Sequence, residues 1–140
     1  MVDIFIPSYH RANNIKTAKY FIKRGYDPKK IYIFIDDEAD DRLEYKEECR
    51  KLECNLFVFS MEEARERFDY VHRPSISRRS AGQARNMFYD FAKDNGINFY
   101  LVIDDDTNQY EIKPFAIYTR GAVLEDFINV FEGVKEFMIR

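Results

Sequence analysis

Several residue types are scarce in this chain of 140 residues, and each scarcity excludes a class of protein. Tryptophan is absent, and there are only two cysteines, two histidines, five glycines and four prolines. So little glycine and proline excludes collagen-like and low-complexity sequences. The two histidines are too few for a His-rich metal site. Cys49 and Cys54 are expected to be free thiols, which indicates a reducing, cytoplasmic setting.

Long apolar runs and a strong charge of one sign are also missing. No apolar stretch approaches the roughly 18 residues that a membrane span needs. The first residues lack the positive charge of a signal peptide, and Pro7 interrupts them. A formal charge of −3 argues against a nucleic-acid-binding protein of the basic type. What the chain does contain is a 46% hydrophobic fraction with 13 Phe and 10 Tyr, enough for an aromatic core.

The apolar pattern alternates between strand-like and helix-like segments. Strands are predicted at Asp3–Ile6, Ile31–Ile35, Leu56–Phe59, Phe99–Ile103 and Phe115–Tyr118. Helices are predicted from a cap at Asn13 or Asn14 to Arg24, over Asp40–Glu53, from Ser60 to about Phe68, from Ser80 to Asn95, and from Leu124 onward with Phe127, Ile128, Phe131 and Met138 inward. Val71–Ser80 is expected to be a loop. This order predicts one three-layer α/β/α domain over residues 1–140 with a mostly parallel sheet.

Ligands of such sheets bind beyond the carboxyl ends of the strands. Asp104, Asp105 and Asp106 directly follow the strand Phe99–Ile103, which is expected to be central. Three adjacent carboxylates repel one another unless a cation or hydrogen-bond donors neutralise them. Their oxygens suit Mn²⁺ or Mg²⁺. The alternative is a solvated acidic turn.

A basic segment complements the acidic one. No acidic residue lies between Val71 and Met87, whereas His72, Arg73, Arg78, Arg79 and Arg85 do. Guanidinium groups match phosphate oxygens, and a helix N-terminus near Ser80 would add amide donors. The triplet and this segment together would form a metal–diphosphate clamp. The alternatives are a solvated loop, or arginines paired with the same aspartates.

Two further strand ends carry polar groups. Pro7-Ser8-Tyr9-His10-Arg11 follows the first strand, and Tyr9 there either stacks on a base or sugar or sits in a tight turn. Asp36-Asp37-Glu38 follows the second strand. Its carboxylates either accept hydrogen bonds from a base or ribose, or favour the N-terminus of the next helix.

Several common sites are excluded by their missing motifs. The sequence contains no G-x-x-x-x-G-K-[ST], no G-x-G-x-x-G after its first strand and no G-x-S-x-G. A P-loop protein, a dinucleotide-binding fold and a hydrolase with a nucleophile elbow are therefore not expected. A nucleotidyltransferase would have a glycine-rich turn where Pro7 to Arg11 stands.

Four segments in order resemble the GT-A glycosyltransferases, most closely the family 2-like enzymes that use nucleotide sugars. They are the strand and turn Ile4 to Arg11, the strand ending at Asp36-Asp37, the helix segment Gly82-Gln83-Ala84-Arg85-Asn86, and the DxD-type strand Tyr100 to Asp106. The segment Ser77 to Asn86 and the aspartate triplet also resemble phage-type transferases that glycosylate modified DNA bases. The resemblance covers residues 3–108, leaving a strand and a helix over residues 109–140. His10 stands where the family often has Asn, and Glu38-Ala39-Asp40 replaces a Gly-Ser-Thr run.

This resemblance implies a Rossmann-like nucleotide-diphospho-sugar transferase fold and a role for each matching residue. Tyr9 would stack on the base, and Asp36 or Asp37 would bind the base or ribose. Arg85 would contact the ribose or phosphates, and Asp104 would lie beside ribose and sugar. Asp106, with Asp104, would ligate Mn²⁺ or Mg²⁺. The remaining donor-binding residues implied are Pro7, Ser8, Arg11, Arg78, Asn86 and Asp105; a catalytic base is not identified.

The implied partners are a nucleotide-diphosphate sugar, with a UDP-sugar favoured, and an acceptor that is a saccharide or a modified DNA base. Such transferases carry an acceptor-binding half after the DxD strand, but only 34 residues follow Asp106 here. The chain is therefore expected to be a donor-binding half, a truncated form or a minimal relative. Its alternative function is a nucleotide-sugar-binding module without transfer activity. Exposed aromatics of a half-domain would favour homo-oligomers.

Overall fold

The computed structural model describes residues 1–67, 80–107, 111–112, 122–123 and 127–139. A parallel four-stranded sheet forms its centre, in the spatial order β3-β2-β1-β4. The strands of this sheet are β1 (Asp3–Pro7), β2 (Ile31–Asp36), β3 (Asn55–Phe59) and β4 (Tyr100–Val102). A separate antiparallel pair joins β5 (Glu111–Ile112) to β6 (Ala122–Val123).

Five helices accompany the sheet: α1 (Lys16–Lys23), α2 (Arg42–Leu52), α3 (Met61–Arg67), α4 (Ser80–Asp94) and α5 (Phe127–Ile139). One hydrophobic cluster joins one face of the sheet to α1, α2 and α5, through residues such as Phe21, Tyr45 and Phe131. A second cluster joins the other face to α3 and α4. The predicted three-layer α/β/α architecture is confirmed.

The second cluster is built around Phe5 of β1, which is fully buried. Its ring stacks on Tyr100 with ring centroids 4.4 Å apart, and it meets Phe34 at 5.0 Å and Phe88 at 5.5 Å. These contacts join three neighbouring strands to α4. Because aromatic rings bury large apolar areas, Phe and Tyr side chains fill this part of the core without any tryptophan.

The structure corrects the predicted start of the first helix. Asn13 and Asn14 belong to a short 3₁₀ turn, Ala12–Asn14, and α1 begins after Ile15 without a side-chain cap. Ile15 is fully buried, so core packing sets where the helix starts. The Thr17 amide instead donates to the main-chain oxygen of Asp105 at 3.2 Å. A loop distant in sequence therefore caps this helix.

Other boundaries agree with the sequence more closely. Glu63 donates its amide to the Ser60 hydroxyl at 3.2 Å, as the predicted cap of α3 requires. The helix ends predicted at Arg24 and Asn95 agree within one residue with the observed ends of α1 and α4. Gly25 and Gly96 follow these ends with positive φ, which a residue without Cβ adopts most readily.

Two expectations were wrong. The strand before the aspartate triplet was expected to be central, but in the described sheet β4 is one of the two edge strands and pairs with β1. Met138 is 68% exposed rather than inward, since α5 packs on the core through its earlier residues Ile128 and Phe131. The predicted strand Phe115–Tyr118, the loop up to residue 79 and the first residues of the last helix lie outside the described residues.

No described helix is long and apolar enough to cross a membrane.

The aromatic cluster generates a stability prediction. Phe5→Ala removes a fully buried ring of β1 that contacts β2, β4 and α4, so the free energy of unfolding should fall by about 3–5 kcal/mol. Phe137→Ala, at a side chain that is 80% exposed, is the matched control and should change it by less than about 0.5 kcal/mol. Urea unfolding monitored by circular dichroism measures both values. Equal losses would contradict this account of the core.

Candidate functional site

A cleft of about 290 Å³ lies at the carboxyl ends of β1 and β4. Its walls are the turn after β1 and the aspartate triplet after β4, with the lining residues Pro7, Ser8, Tyr9, Arg11, Asp104, Asp105 and Asp106. The two segments meet because β1 and β4 are neighbouring parallel strands, with Ile4 opposite Leu101. The cleft is where a parallel α/β sheet binds its ligands.

The middle aspartate of the triplet is buried within the protein. The Asp105 side chain is only 10% exposed. Its Oδ2 accepts a hydrogen bond from the Ser8 hydroxyl at 2.6 Å, and its Oδ1 accepts one from Arg11 Nη1 at 2.7 Å. Both carboxylate oxygens therefore have a donor from the turn after β1, and Asp105 ties the two walls of the cleft together.

The flanking aspartates are exposed, and each lies beside an arginine. The Asp104 side chain is 62% exposed and its Oδ1 lies 2.5 Å from Arg85 Nη2. The Asp106 side chain is 59% exposed and its Oδ2 lies 3.2 Å from Arg11 Nη1. Asp106 and Asp105 raise the pKa of Arg11 above its ordinary value. The two exposed carboxylates have the spacing of a DxD pair, and guanidinium groups relieve their mutual repulsion.

The main chain of the triplet is held by helix α1. The Thr17 hydroxyl donates to the main-chain oxygen of Asp104 and accepts from the Thr107 amide at 2.9 Å. Thr17 is fully buried. The residue at the first turn of α1 therefore fixes the backbone on both sides of Asp105 and Asp106.

A tyrosine from α2 supports the opposite wall. The Tyr45 hydroxyl lies 2.7 Å from the Ser8 hydroxyl and accepts the Arg11 amide at 3.0 Å. Tyr45 is fully buried, and this burial raises its pKa to about 12. It is thus a neutral phenol near neutral pH, able to donate one hydrogen bond and accept another.

Asp36 and Asp37, the predicted base or ribose contacts, lie beside this cleft at the end of β2 and are not among its lining residues. The Asp36 Oδ1 accepts the Glu38 amide at 3.0 Å, and Asp36 is buried. The Asp37 Oδ1 accepts the Met61 amide at 2.9 Å, at the start of α3. Arg65 holds Glu38 through two hydrogen bonds of 3.0 and 3.1 Å. Asp37 therefore contacts the N-terminus of α3 and not that of α2, the next helix along the chain, which the sequence offered as its alternative partner.

Of the other predicted site residues, one lies in the cleft wall, one lies on α4 and one lies outside the described residues. Tyr9 is half-buried in the cleft wall, and its ring meets the His10 ring edge-on with centroids 3.9 Å apart. Asn86 is exposed on α4 next to Arg85. Arg78 lies outside the described residues, as do His72, Arg73 and Arg79.

Another group of possible metal ligands lies at the outer side of the β1 turn. His10 Nδ1 is 3.1 Å from Asp40 Oδ1 and 4.0 Å from Asp41 Oδ1. These three ligand atoms lie within 4.8 Å of one another. His10 has a left-handed φ of 52°, which is uncommon for a residue with a side chain. His10 and Asp40 are also two of the departures from the glycosyltransferase pattern, and the fold brings them into contact.

A larger cleft of about 580 Å³ lies at the opposite end of the sheet, where the strands begin; Asp3, Lys30 and Asn95 are among its lining residues. None of the residues that the sequence singled out for donor or metal binding lines it. The smaller cleft is therefore the candidate site.

Sequence reasoning missed Tyr45 and Thr17. A signal for Tyr45 was present: Tyr45 and Cys49 are four residues apart in a highly charged helix, and both are buried. This spacing predicts an inward face, and a buried tyrosine hydroxyl needs a partner. Thr17 offered no comparable signal, because its partners are main-chain atoms of a distant loop.

A model of a known protein family matches nearly the whole chain. The family model for TAGT, the TET-Associated Glycosyltransferase, matches residues 2–137. The chain belongs to this glycosyltransferase family. Among curated proteins, none matches the chain.

The different surroundings of the three aspartates generate a prediction. Asp105→Asn removes a buried carboxylate that accepts from Ser8 and Arg11, so we expect a loss of about 1.5–3 kcal/mol in the free energy of unfolding. Asp106→Asn removes an exposed partner of Arg11 and should change it by less than about 1 kcal/mol. Chemical denaturation compares the two variants under the same conditions. Equal destabilisation by both variants would show that Asp105 is not the structural member of the triplet.

Proposed function

We propose that this glycosyltransferase binds the diphosphate of a nucleotide-sugar donor in the cleft between β1 and β4, and that a UDP-sugar is the donor. The observation that carries the proposal is the pair of exposed carboxylates, Asp104 and Asp106, each beside an arginine at the carboxyl end of the sheet. Transfer breaks the bond between the anomeric carbon and the diphosphate oxygen. The diphosphate leaves with the electron pair of that bond, a new bond forms from the carbon to the acceptor oxygen, and the acceptor's proton passes to solvent.

The charges around the cleft favour a metal-dependent mode of binding. The described residues of this region place three carboxylates, those of Asp104, Asp105 and Asp106, against the guanidinium groups of Arg11 and Arg85. A diphosphate would add further negative charge to a group that is already net negative. A divalent cation resolves this conflict, and the donor set fits one, because Mn²⁺ and Mg²⁺ accept one or two carboxylates together with phosphate oxygens.

Asp104 and Asp106 are the proposed ligands, and the bound cation would stabilise the charge of the leaving diphosphate. Both carboxylate oxygens of Asp105 already accept hydrogen bonds, from Ser8 and from Arg11. We therefore propose that Asp105 orients Asp104 and Asp106 and does not bind the cation. Arg85 is the proposed phosphate contact. Tyr9, Asp36 and Asp37 remain the proposed contacts of the nucleoside, with Asp36 having one carboxylate oxygen beyond the one that accepts from Glu38.

A modified DNA base is the acceptor that we propose. One resemblance favours it over a saccharide: the segment Ser77 to Asn86 with the aspartate triplet resembles phage-type transferases that act on modified DNA bases. A hydroxyl on such a base would supply the attacking oxygen.

We further propose one donor-binding domain over residues 1–140 in a cytoplasmic setting. The unbroken sheet order from β1 to β4 supports the single domain. The thiols of Cys49 and Cys54 are free, which agrees with a reducing compartment. Homo-oligomerisation stays a prediction.

The metal requirement is testable by isothermal titration calorimetry with UDP. The wild type should bind UDP more tightly in Mn²⁺ than in EDTA by about tenfold or more, and Asp106→Asn should lose this gain. Asp94→Asn is the matched control, because Asp94 is an exposed aspartate near the end of α4 that lies outside the cleft. It should retain the full Mn²⁺ dependence.

Equal affinity of the wild type for UDP with and without Mn²⁺ would contradict the metal-dependent mode. No measurable binding of UDP, of another nucleoside diphosphate or of their sugar conjugates would overturn the proposed function.

Arg85 generates a separate prediction about the phosphates. Arg85→Ala should weaken UDP binding by about 1.5–3 kcal/mol while leaving uridine binding nearly unchanged, because hydrogen bonds to charged phosphate oxygens are lost. Arg50→Ala, in an exposed ion pair with Glu47 at 2.9 Å on α2, is the control and should affect neither ligand. Equal losses for UDP and uridine would rule out a phosphate contact.

A further inference from the structure

We propose that Tyr45 is a positioning residue of the donor site, acting through a directed chain of hydrogen bonds that holds Arg11 and Asp105 in place. Tyr45 lies on α2 and is absent from the lining of the cleft. Its hydroxyl nevertheless contacts both the main chain of Arg11 and the side chain of Ser8. The inference rests on the proposed function for the identity of the ligand, whereas the chain of hydrogen bonds is observed whatever the ligand is.

The two ends of the chain determine its direction. The Arg11 amide can only donate, and it donates to the Tyr45 hydroxyl at 3.0 Å. At the other end the Asp105 carboxylate accepts from the Ser8 hydroxyl at 2.6 Å. Since Ser8 uses its proton toward Asp105, the 2.7 Å contact between the two hydroxyls must be donated by Tyr45. Each hydroxyl thus donates once and accepts once.

The chain closes into a ring through Arg11. Its main chain is held by Tyr45, and its guanidinium donates to Asp105 Oδ1 at 2.7 Å. Tyr45 therefore fixes one partner of the Arg11–Asp105 pair directly and the other through Ser8. Because Arg11 also pairs with Asp106 at 3.2 Å, the position of an exposed carboxylate of the cleft depends on this ring.

Packing alone does not account for the tyrosine. The Tyr45 ring lies in the apolar cluster with Ile35 and Cys49, where phenylalanine would fill the same space. The hydroxyl extends from this cluster to the loop after β1, where it contacts Ser8 and the Arg11 amide. The hydroxyl is thus the feature whose removal isolates positioning from packing.

The protein contains a matched control residue at the other end of the sheet. Tyr26 is also buried, and its hydroxyl donates to the Val2 main-chain oxygen at 2.5 Å. Tyr26→Phe and Tyr45→Phe each remove one buried hydroxyl that makes hydrogen bonds. We expect comparable decreases in melting temperature from the two variants, so stability loss alone does not separate them.

The test measures UDP affinity by calorimetry in Mn²⁺ at a temperature where both variants are folded. Tyr45→Phe should raise the Kd about fivefold or more, whereas Tyr26→Phe should change it less than twofold. In parallel, amide hydrogen exchange at Arg11 should accelerate in Tyr45→Phe and not in Tyr26→Phe. Ser8→Ala removes the next hydroxyl of the chain and provides the same comparison if Tyr45→Phe fails to fold.

The double variant Ser8→Ala/Tyr45→Phe tests the chain as a unit. If the two hydroxyls act in one chain, its Kd should be clearly lower than the product of the two single effects would give. Strict additivity would overturn the chain, and equal Kd changes in Tyr45→Phe and Tyr26→Phe would overturn the positioning role. Failure of the wild type to bind UDP or any related nucleotide would instead contradict the proposed function, and these outcomes are distinguishable from one another.

Discussion

One buried carboxylate joins the two segments on which the rest of the site depends. Asp105 accepts from Ser8 and from Arg11, so the loops that follow β1 and β4 are held by a pair of charge-assisted hydrogen bonds rather than by apolar contact. Leaving this carboxylate buried without donors would cost more than the hydrogen bonds contribute when made. The turn after β1 must therefore keep its shape for the loop after β4 to keep its own.

This constraint separates three chemically identical residues into two roles. Asp105 is turned inward and satisfied, whereas Asp104 and Asp106 face solvent with Arg85 and Arg11 beside them. The inward residue lets the outward pair stay together without a ligand, because its partner Arg11 also balances Asp106. Thr17 adds main-chain hydrogen bonds from α1 to the same loop. Local repulsion is thus offset by donors from the turn after β1 and from α4, which are far apart in sequence.

The fold was predictable because it depends on local patterns. Apolar runs such as Ile31–Ile35 predicted strands, and the structure confirms this one as β2. Ala84, Met87 and Phe88 have the spacing of one helix face, and the structure buries all three on α4. The loops were predictable only as places where polar residues gather. Which aspartate turns inward depends on Ser8 and Arg11, which are 97 and 94 residues away in sequence. No local pattern predicts a contact between residues so far apart. The predicted start of α1 was wrong for the same reason, since the Thr17 amide in its first turn donates to the main-chain oxygen of Asp105.

The same argument explains how Tyr45, which does not line the cleft, acts on the site. The turn after β1 is anchored by α2, which packs in the apolar cluster that contains Ile35. The loop after β4 is held through that turn, by the hydrogen bonds of Ser8 and Arg11 to Asp105. Tyr45 combines a ring that packs in that cluster with a hydroxyl that reaches Ser8 and the Arg11 amide. Serine or threonine at this position would be too short to do both, and phenylalanine would pack without anchoring. The residue type is therefore explained by its two surroundings together, and by neither one alone.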